Sequence, residues 1–221
     1  TKTTYKDYVE SINQIASVAR AHDKEFWCCI QTFAWTASKR TPNEAEYRWQ
    51  CYSMLSFGAT GILLWTYMHT GDFQSLIDTA SLEPTQAYFD CKPVMWEMRA
   101  ISDVYIQYKN LGAFTHNYTP ATPYLYMSNE YKNFSTLKEI TCDAPLLIGC
   151  FEKEDKSGAT AFTVVNMNEF SSDKGTTFKF KLDRDAVVTS YYRGEPKVLT
   201  AAAGWYTIEL ECGDGVFVTV E

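Results

Sequence analysis

The residues able to do chemistry gather at the ends of two apolar runs, FWCCIQTFAW and GILLWTYMH, which supply Gln31, Trp35, Trp65, Tyr67 and His69. An indole at such a tip can stack on the apolar face of a sugar, while a phenol or an amide can exchange hydrogen bonds with its hydroxyls. Trp65 and Tyr67 close the second run; Gln31 is a polar group inside the first. Burying an amide without partners costs roughly 1–3 kcal/mol, so Gln31 needs either a partner in the protein or a ligand. In the loops beyond, Trp35 would act as a platform, Arg40 as a clamp, and His69 or Asp72 as a polar partner or proton-transfer group. Each has a plainer alternative: packing for the rings, solvated loop positions for Arg40 and Asp72. Glu44 and Glu46 look like an acid/base pair by type, yet acidic residues in a first helical turn follow from the helix dipole alone. They read as structural.

No metal or cofactor is expected, because His22 and His116 lack companions at ligand spacing and no HExxH, P-loop or GxGxxG occurs. A nucleophilic Ser or Cys motif is also missing, and Cys28 and Cys29 fall within a strand body as packing residues.

The elements that must position these residues follow from hydrophobic period. Helical spacing runs over residues 4–22 (Tyr5, Tyr8, Val9, Ile12, Ile15, Ala16, Ala19), ahead of a strand at 26–32. Alternation there puts Trp27, Cys29 and Gln31 on one side and Cys28, Ile30 and Thr32 on the other. Pro42 at a first helical position, with Thr41 as cap, opens an amphipathic helix whose stripe of Tyr47, Cys51, Met54, Leu55 and Phe57 ends at Gly58. The second strand spans 62–67, and Gly71 with Asp72 marks a turn near its mouth. Residues 88–110 read as a long closing helix, with Pro93 in its first turn or dividing it from a shorter piece. The order αβαβα predicts parallel strands joined by helical crossovers, the build of a (β/α) barrel.

After Leu111 and Gly112 the period changes. LLIGCFEKEDKSGATAFTVVNM reads as a hairpin, and strand-like runs recur at TTFKFKL, VVTSYY, WYTIEL and VFVTVE, with turns at 183–185, 193–196 and 213–215. This predicts an antiparallel all-β unit. The chain would therefore divide into 1–112 and 113–221, joined at a packed junction because no flexible linker intervenes.

Composition narrows the function. A net charge of −7 without a Lys/Arg cluster offers phosphate backbones no footprint, so nucleic acid is not an expected partner. No apolar run approaches the roughly 18–20 residues that cross a bilayer, and the first residues show neither an initiator Met nor a signal-peptide core, so no membrane partner is expected and the chain is expected to begin inside a longer polypeptide. Its 15 Tyr, 13 Phe and 6 Trp suit either a large core or sugar binding. Seven cysteines, an odd number without CxxC spacing, argue for free thiols and a reducing compartment such as the cytoplasm.

The run QTFAW…KRTPNEAEYRWQCYSMLSFGATGILLWTY resembles the last two β/α units of clan A-like glycoside hydrolase barrels, bacterial members in particular. On that resemblance 26–35 is strand seven, 44–58 helix seven, 62–67 strand eight and 88–108 helix eight. The remainder resembles the small β-sandwich that commonly follows such barrels, with Gly213, Asp214 and Gly215 as its final turn. The implied fold is the last two β/α units of a TIM-type (β/α)8 barrel plus an antiparallel β-sandwich, and the implied activity is O-glycosyl hydrolysis. One departure stands out. In that clan the nucleophile is a Glu ending strand seven and the acid/base a Glu after strand four, whereas here strand seven ends in Gln31, Thr32, Phe33, Ala34 and Trp35. Strand four would lie outside the chain, so the catalytic carboxylates are unknown. Catalysis uses other strands, or the barrel has lost it, or the strand numbering is shifted by one. The resemblance implies a carbohydrate ligand and a partner that completes the barrel, either its N-terminal half or another chain. The alternative is a noncatalytic carbohydrate-binding or structural module.

Overall fold

The computed structural model describes residues 2–34, 40–68, 74–117, 134–168 and 170–221, with the side chains of 2–7 and 171 left aside. Helix α1 (Lys2–Ala21) leads into strand β1 (Trp27–Gln31), then helix α2 (Glu44–Ser56), strand β2 (Gly61–Trp65) and helix α3 (Gln86–Tyr105). The two strands pair in parallel, Trp27 opposite Gly61 through Gln31 opposite Trp65. The β/α reading therefore holds. So does the alternation: Ile30 is fully buried, while on the other face Trp27 is 62% exposed.

Local chemistry sets the limits of α2. Asn43, and not Thr41, is the cap: its side chain accepts from the Glu46 N–H at 3.0 Å, and the Glu46 carboxylate accepts from the Asn43 N–H at 2.9 Å. This capping box satisfies two backbone donors at once. At the far end Gly58, at φ +88°, donates to Leu55 O while Ala59 donates to Met54 O, closing the helix as a Schellman motif.

Strands β3 (Tyr108–His116), β4 (Leu137–Thr141), β5 (Leu146–Lys153), β6 (Thr160–Asn166), β7 (Thr176–Leu182), β8 (Val188–Tyr192), β9 (Glu195–Leu199), β10 (Tyr206–Leu210) and β11 (Gly215–Val220) form two antiparallel sheets. One has the order β3-β5-β6-β11-β8-β9 and the other β10-β7-β4. Phe178, Phe180, Ile208 and Leu210 of the smaller sheet pack against Ile148, Phe162, Val164 and Val218 of the larger, filling the sandwich core. The arrangement is that of two β/α units of a TIM-type barrel followed by a β-sandwich.

The second core lies on the opposite face of the six-stranded sheet. Leu147, Phe151, Ala161, Val165 and Phe217 of that sheet share one cluster with Val9, Ile12 and Ala16 of α1, Tyr47 to Leu55 of α2, and Cys91, Val94 and Ile101 of α3. The helices are thus a layer between two sheets. This corrects the expected amphipathic α2: every residue from Tyr47 to Ser56 is buried, including Arg48, Gln50, Ser53 and Ser56. A helix flanked by sheets on both sides has no solvent face, so Arg48, Gln50 and Ser56 turn to partners in the protein, whereas the hydroxyls of Tyr47, Tyr52 and Ser53 are buried without one among the described residues. Ser56 Oγ accepts from Thr163 Oγ1 at 2.7 Å, and the Ser56 carbonyl accepts from Asn110 Nδ2 at 3.1 Å. Gly149 is required here, since a Cβ would sit 2.6 Å from the Ser56 Cα.

Helix α3 differs from expectation at both ends. It starts at Gln86, carries Pro93 inside an unbroken helix, and stops at Tyr105. Tyr108, assigned by spacing to the same helix, begins β3, whose bulge between Asn110 and Gly112 turns Asn110 towards α2.

Candidate functional site

The tips of β1 and β2 are tied together before any ligand is considered. Thr32 donates its N–H to Trp65 O at 2.9 Å and its hydroxyl to Thr66 O at 2.6 Å. The Trp65–Thr66 peptide bond is cis. Helix α2 fixes the neighbouring main chain, because Gln50 Oε1 accepts from the Gln31 N–H at 2.9 Å. Gln31 Nε2 in turn donates to Phe33 O at 2.8 Å, which fixes the amide in place. Sequence reasoning passed over Thr32 and Gln50. Their only signal was a polar residue at a strand end and another inside an otherwise apolar helix.

Gln31 and Trp65 are register partners and lie on the same face of the two-stranded sheet. That face carries Trp27, Cys29 and Leu63 as well, all exposed, with the Trp27 ring over Gly61. An amide fixed in place beside a 53% exposed indole can receive a ring bearing hydroxyl groups, one by hydrogen bonding and the other by stacking.

The other candidates separate. Tyr67 lines a cavity with Leu64 and residues of α3, on the helix side of the sheet. Arg40 is exposed and engaged: its guanidinium forks onto Glu46 at 2.6 and 2.7 Å and donates to Thr41 O. Glu46 is thereby committed to the helix cap, and Glu44 pairs with Arg48 at 2.5 Å, in line with a structural role for both. Trp35, His69 and Asp72 lie outside the described residues.

Among the described residues, the tips at 31–34 and 65–68 bear no carboxylate, and no group of three His, Cys, Asp or Glu is placed to hold a metal. Burial raises the Cys28, Cys51 and Cys150 thiols and pushes Cys91 up to about 12, which disfavours their thiolates. The described tip residues offer hydrogen bonding and ring stacking.

No family model matches the chain, and no curated protein does. Among solved structures the chain is similar to a GH30 endoxylanase from Clostridium papyrosolvens C71, at 14% identity and a TM-score of 0.42, over 96% of this chain and 45% of that one. The chain spans less than half the length of that structure, and no residue role is carried over from it.

All seven cysteines are free thiols, and Cys29 alone among them is exposed. Its placement departs from the expected packing role, because the face it occupies is uncovered. Ellman's reagent at pH 8 is therefore expected to titrate one thiol rapidly in the native chain and all seven in denaturant. Rapid reaction of several thiols in the native state would contradict the burial of Cys51, Cys91, Cys142, Cys150 and Cys212.

A second cluster was missed entirely from sequence. Arg48 on α2 makes a fork with Glu97 on α3 (2.6–3.1 Å), and its other nitrogen lies 3.4 Å from Asp214 in the turn before β11. Burial disfavours the Arg48 cation, but the hydrogen bonds it donates to Glu97 and Glu44 outweigh this and raise its pKa. Asp214 is wholly buried and accepts from the Tyr192 hydroxyl and the Glu211 N–H, with Arg193 at 3.4 Å. Gly213 is needed alongside it, at φ +75° and against the Ala45 backbone. The network joins the helix layer to two sandwich turns. It is a fastening.

Proposed function

We propose that this chain is part of a glycoside hydrolase-like protein, in which Gln31 and Trp65 bind carbohydrate at the strand tips and the β-sandwich buttresses the helices behind them. The observation that carries this reading is the in-register pairing of a fixed amide and an open indole on an uncovered sheet face. Two further features support a barrel arc. The face opposite the helices is apolar and bare, as lumen positions are when the other strands are absent. Both lateral helices also present apolar side chains outward: Ile15 and Val18 on α1, Phe89 and Trp96 on α3. Hydrolysis of an O-glycosidic bond needs an acid and a nucleophile or base, and in this proposal both carboxylates come from other strands of the completed barrel.

The lack of a carboxylate at residues 31–34 favours a second reading, a noncatalytic carbohydrate-binding module built on the same scaffold. The two part on cleavage. If the completed protein carries paired carboxylates at other strand tips, and amide replacement of either abolishes glycoside cleavage, the enzyme reading stands.

Binding itself is testable on this chain. Calorimetric titration with a panel of neutral β-linked hexaoses (cello-, xylo- and mannohexaose) is expected to detect at least one ligand, and Trp65→Ala to weaken it about tenfold, equivalent to about 1.4 kcal/mol of lost stacking. Trp205→Ala, on the sandwich, should leave affinity unchanged. Equal binding by Trp65→Ala and the parent chain would refute the site.

A further inference from the structure

The groove between β2 and α3 is distinct from the strand-tip face. Leu64, Tyr67 and Leu76 form one wall and Tyr88, Met95 and Trp96 the other, around a cavity of about 380 Å³. Its lining is apolar except for two cations, Lys92 and Arg99. On α3 the outward positions Phe89, Lys92, Trp96 and Arg99 follow helical spacing, so aromatic rings and cations alternate along one stripe. Phe89 is 55% and Trp96 63% exposed. Neither Lys92 nor Arg99 makes an ion pair among the described residues. The carboxylate of Asp90 instead accepts from Gln86, and Asp103 stands at the far end of the stripe; neither acid lines the cavity.

We infer that this groove seats an acidic amphipathic helix, whose apolar side fills the space between Leu64 and Trp96 and whose carboxylates pair with Lys92 and Arg99. The inference rests on the barrel reading, since β2 pairs only with β1 among the described residues and a further parallel strand on its open edge would bring its own helix beside α3. Charge decides between occupants. The chain carries −7 overall, yet this stripe is cationic at its centre, so a second copy docked through the same stripe would set Lys92 and Arg99 against their like. An acidic helix meets complementary charge, and an apolar face on one side of a helix is what a groove of this kind accepts.

The test uses two synthetic helical peptides of about 20 residues, long enough to hold helix in water, with the same leucine face flanked by glutamates in one and lysines in the other. Binding to this chain is followed by calorimetry at low salt. The acidic peptide is expected to bind at least tenfold more tightly than the basic one. Lys92→Glu/Arg99→Glu should reverse that order, and Trp96→Asp should abolish binding of both. Because these side chains are at the surface, circular dichroism and hexaose titration of each variant should match the parent. Failure of the acidic peptide to bind, equal binding of the two, or sedimentation showing a dimer that Trp96→Asp dissolves would overturn the inference. Loss of hexaose binding with peptide binding intact would instead sink the carbohydrate reading alone.

Discussion

Replacing Asp214 with Ala is expected to destabilise the chain by about 3–5 kcal/mol, read from the urea midpoint. The carboxylate is fully buried at the meeting of four elements. It faces Arg48 of α2, which Glu97 of α3 also grips, and it takes hydrogen bonds from Tyr192 at the end of β8 and from the turn into β11. Removing it leaves the Tyr192 hydroxyl and the Glu211 N–H without their acceptor, and an arginine that is 3% exposed short of one counter-charge. A buried pair is costly to break from one side, while its replacement as a whole by apolar groups is far cheaper. Arg40→Ala is the surface control: its ion pair with Glu46 is exposed, and removal should cost under about 1 kcal/mol. Similar losses for Asp214→Ala and Arg40→Ala would mean that the buried network fastens nothing.

Phe217→Ala is the second large effect, also about 3–5 kcal/mol, with the thermal midpoint lowered by roughly 6–20 °C for a chain of this size. Its ring packs edge-on to Tyr105 at 5.4 Å, Tyr108 at 5.8 Å and Phe151 at 6.0 Å, with Tyr191 tilted beside it. Tyr105 in turn donates its hydroxyl to Leu55 O at 2.9 Å, so the cluster locks α3 and α2 onto the six-stranded sheet. Truncation leaves a cavity at the boundary of helices and sheet, and collapse is resisted because every neighbouring ring is held by a different element. Phe217→Leu should recover about half of the loss. Unfolding should remain one transition in the parent, because helices and sandwich share a core. Two separate transitions in the parent chain would deny that shared core.

How much of this was legible in the sequence depended on whether the partner of a residue was local. The alternation of Trp27, Cys29 and Gln31 against Cys28 and Ile30 gave the sidedness of β1, and Gly58 marked the end of α2, since both signals lie within a few residues. The end of α3 was misread because Tyr105 and Tyr108 are three apart, as helix neighbours are. They do share a neighbour, Phe217, but one reaches it from the helix and the other from a strand. Strands β4 (LKEIT) and β9 (EPKVL) were overlooked for a different reason: as sheet edges they need little apolar patterning, and Pro196 is tolerated there. Arg48 and Ser56 looked like the solvent side of a helix until a second sheet covered it. Asp214 looked like an ordinary turn residue, because nothing near it in sequence announces Arg48.

The same distinction applies to the site. Gln31 and Trp65 were nominated for their position at strand tips, and parallel pairing makes them neighbours. Tyr67, two residues from Trp65, lines the α3 groove, as the chain leaves its strand after Trp65 and alternation no longer governs it. Arg40 has a carboxylate partner in the capping box, a role visible in sequence only if Asn43 and Glu46 are recognised as a pair.

The central claim is that the tips of two parallel strands, held from behind by α2, form the carbohydrate-binding face. Hydrogen exchange read by mass spectrometry, with and without the hexaose that binds in calorimetry, addresses it most directly. The account predicts slowed exchange confined to peptides covering 31–34 and 63–68. Unchanged exchange there, with protection appearing on the strands of the sandwich, would contradict it.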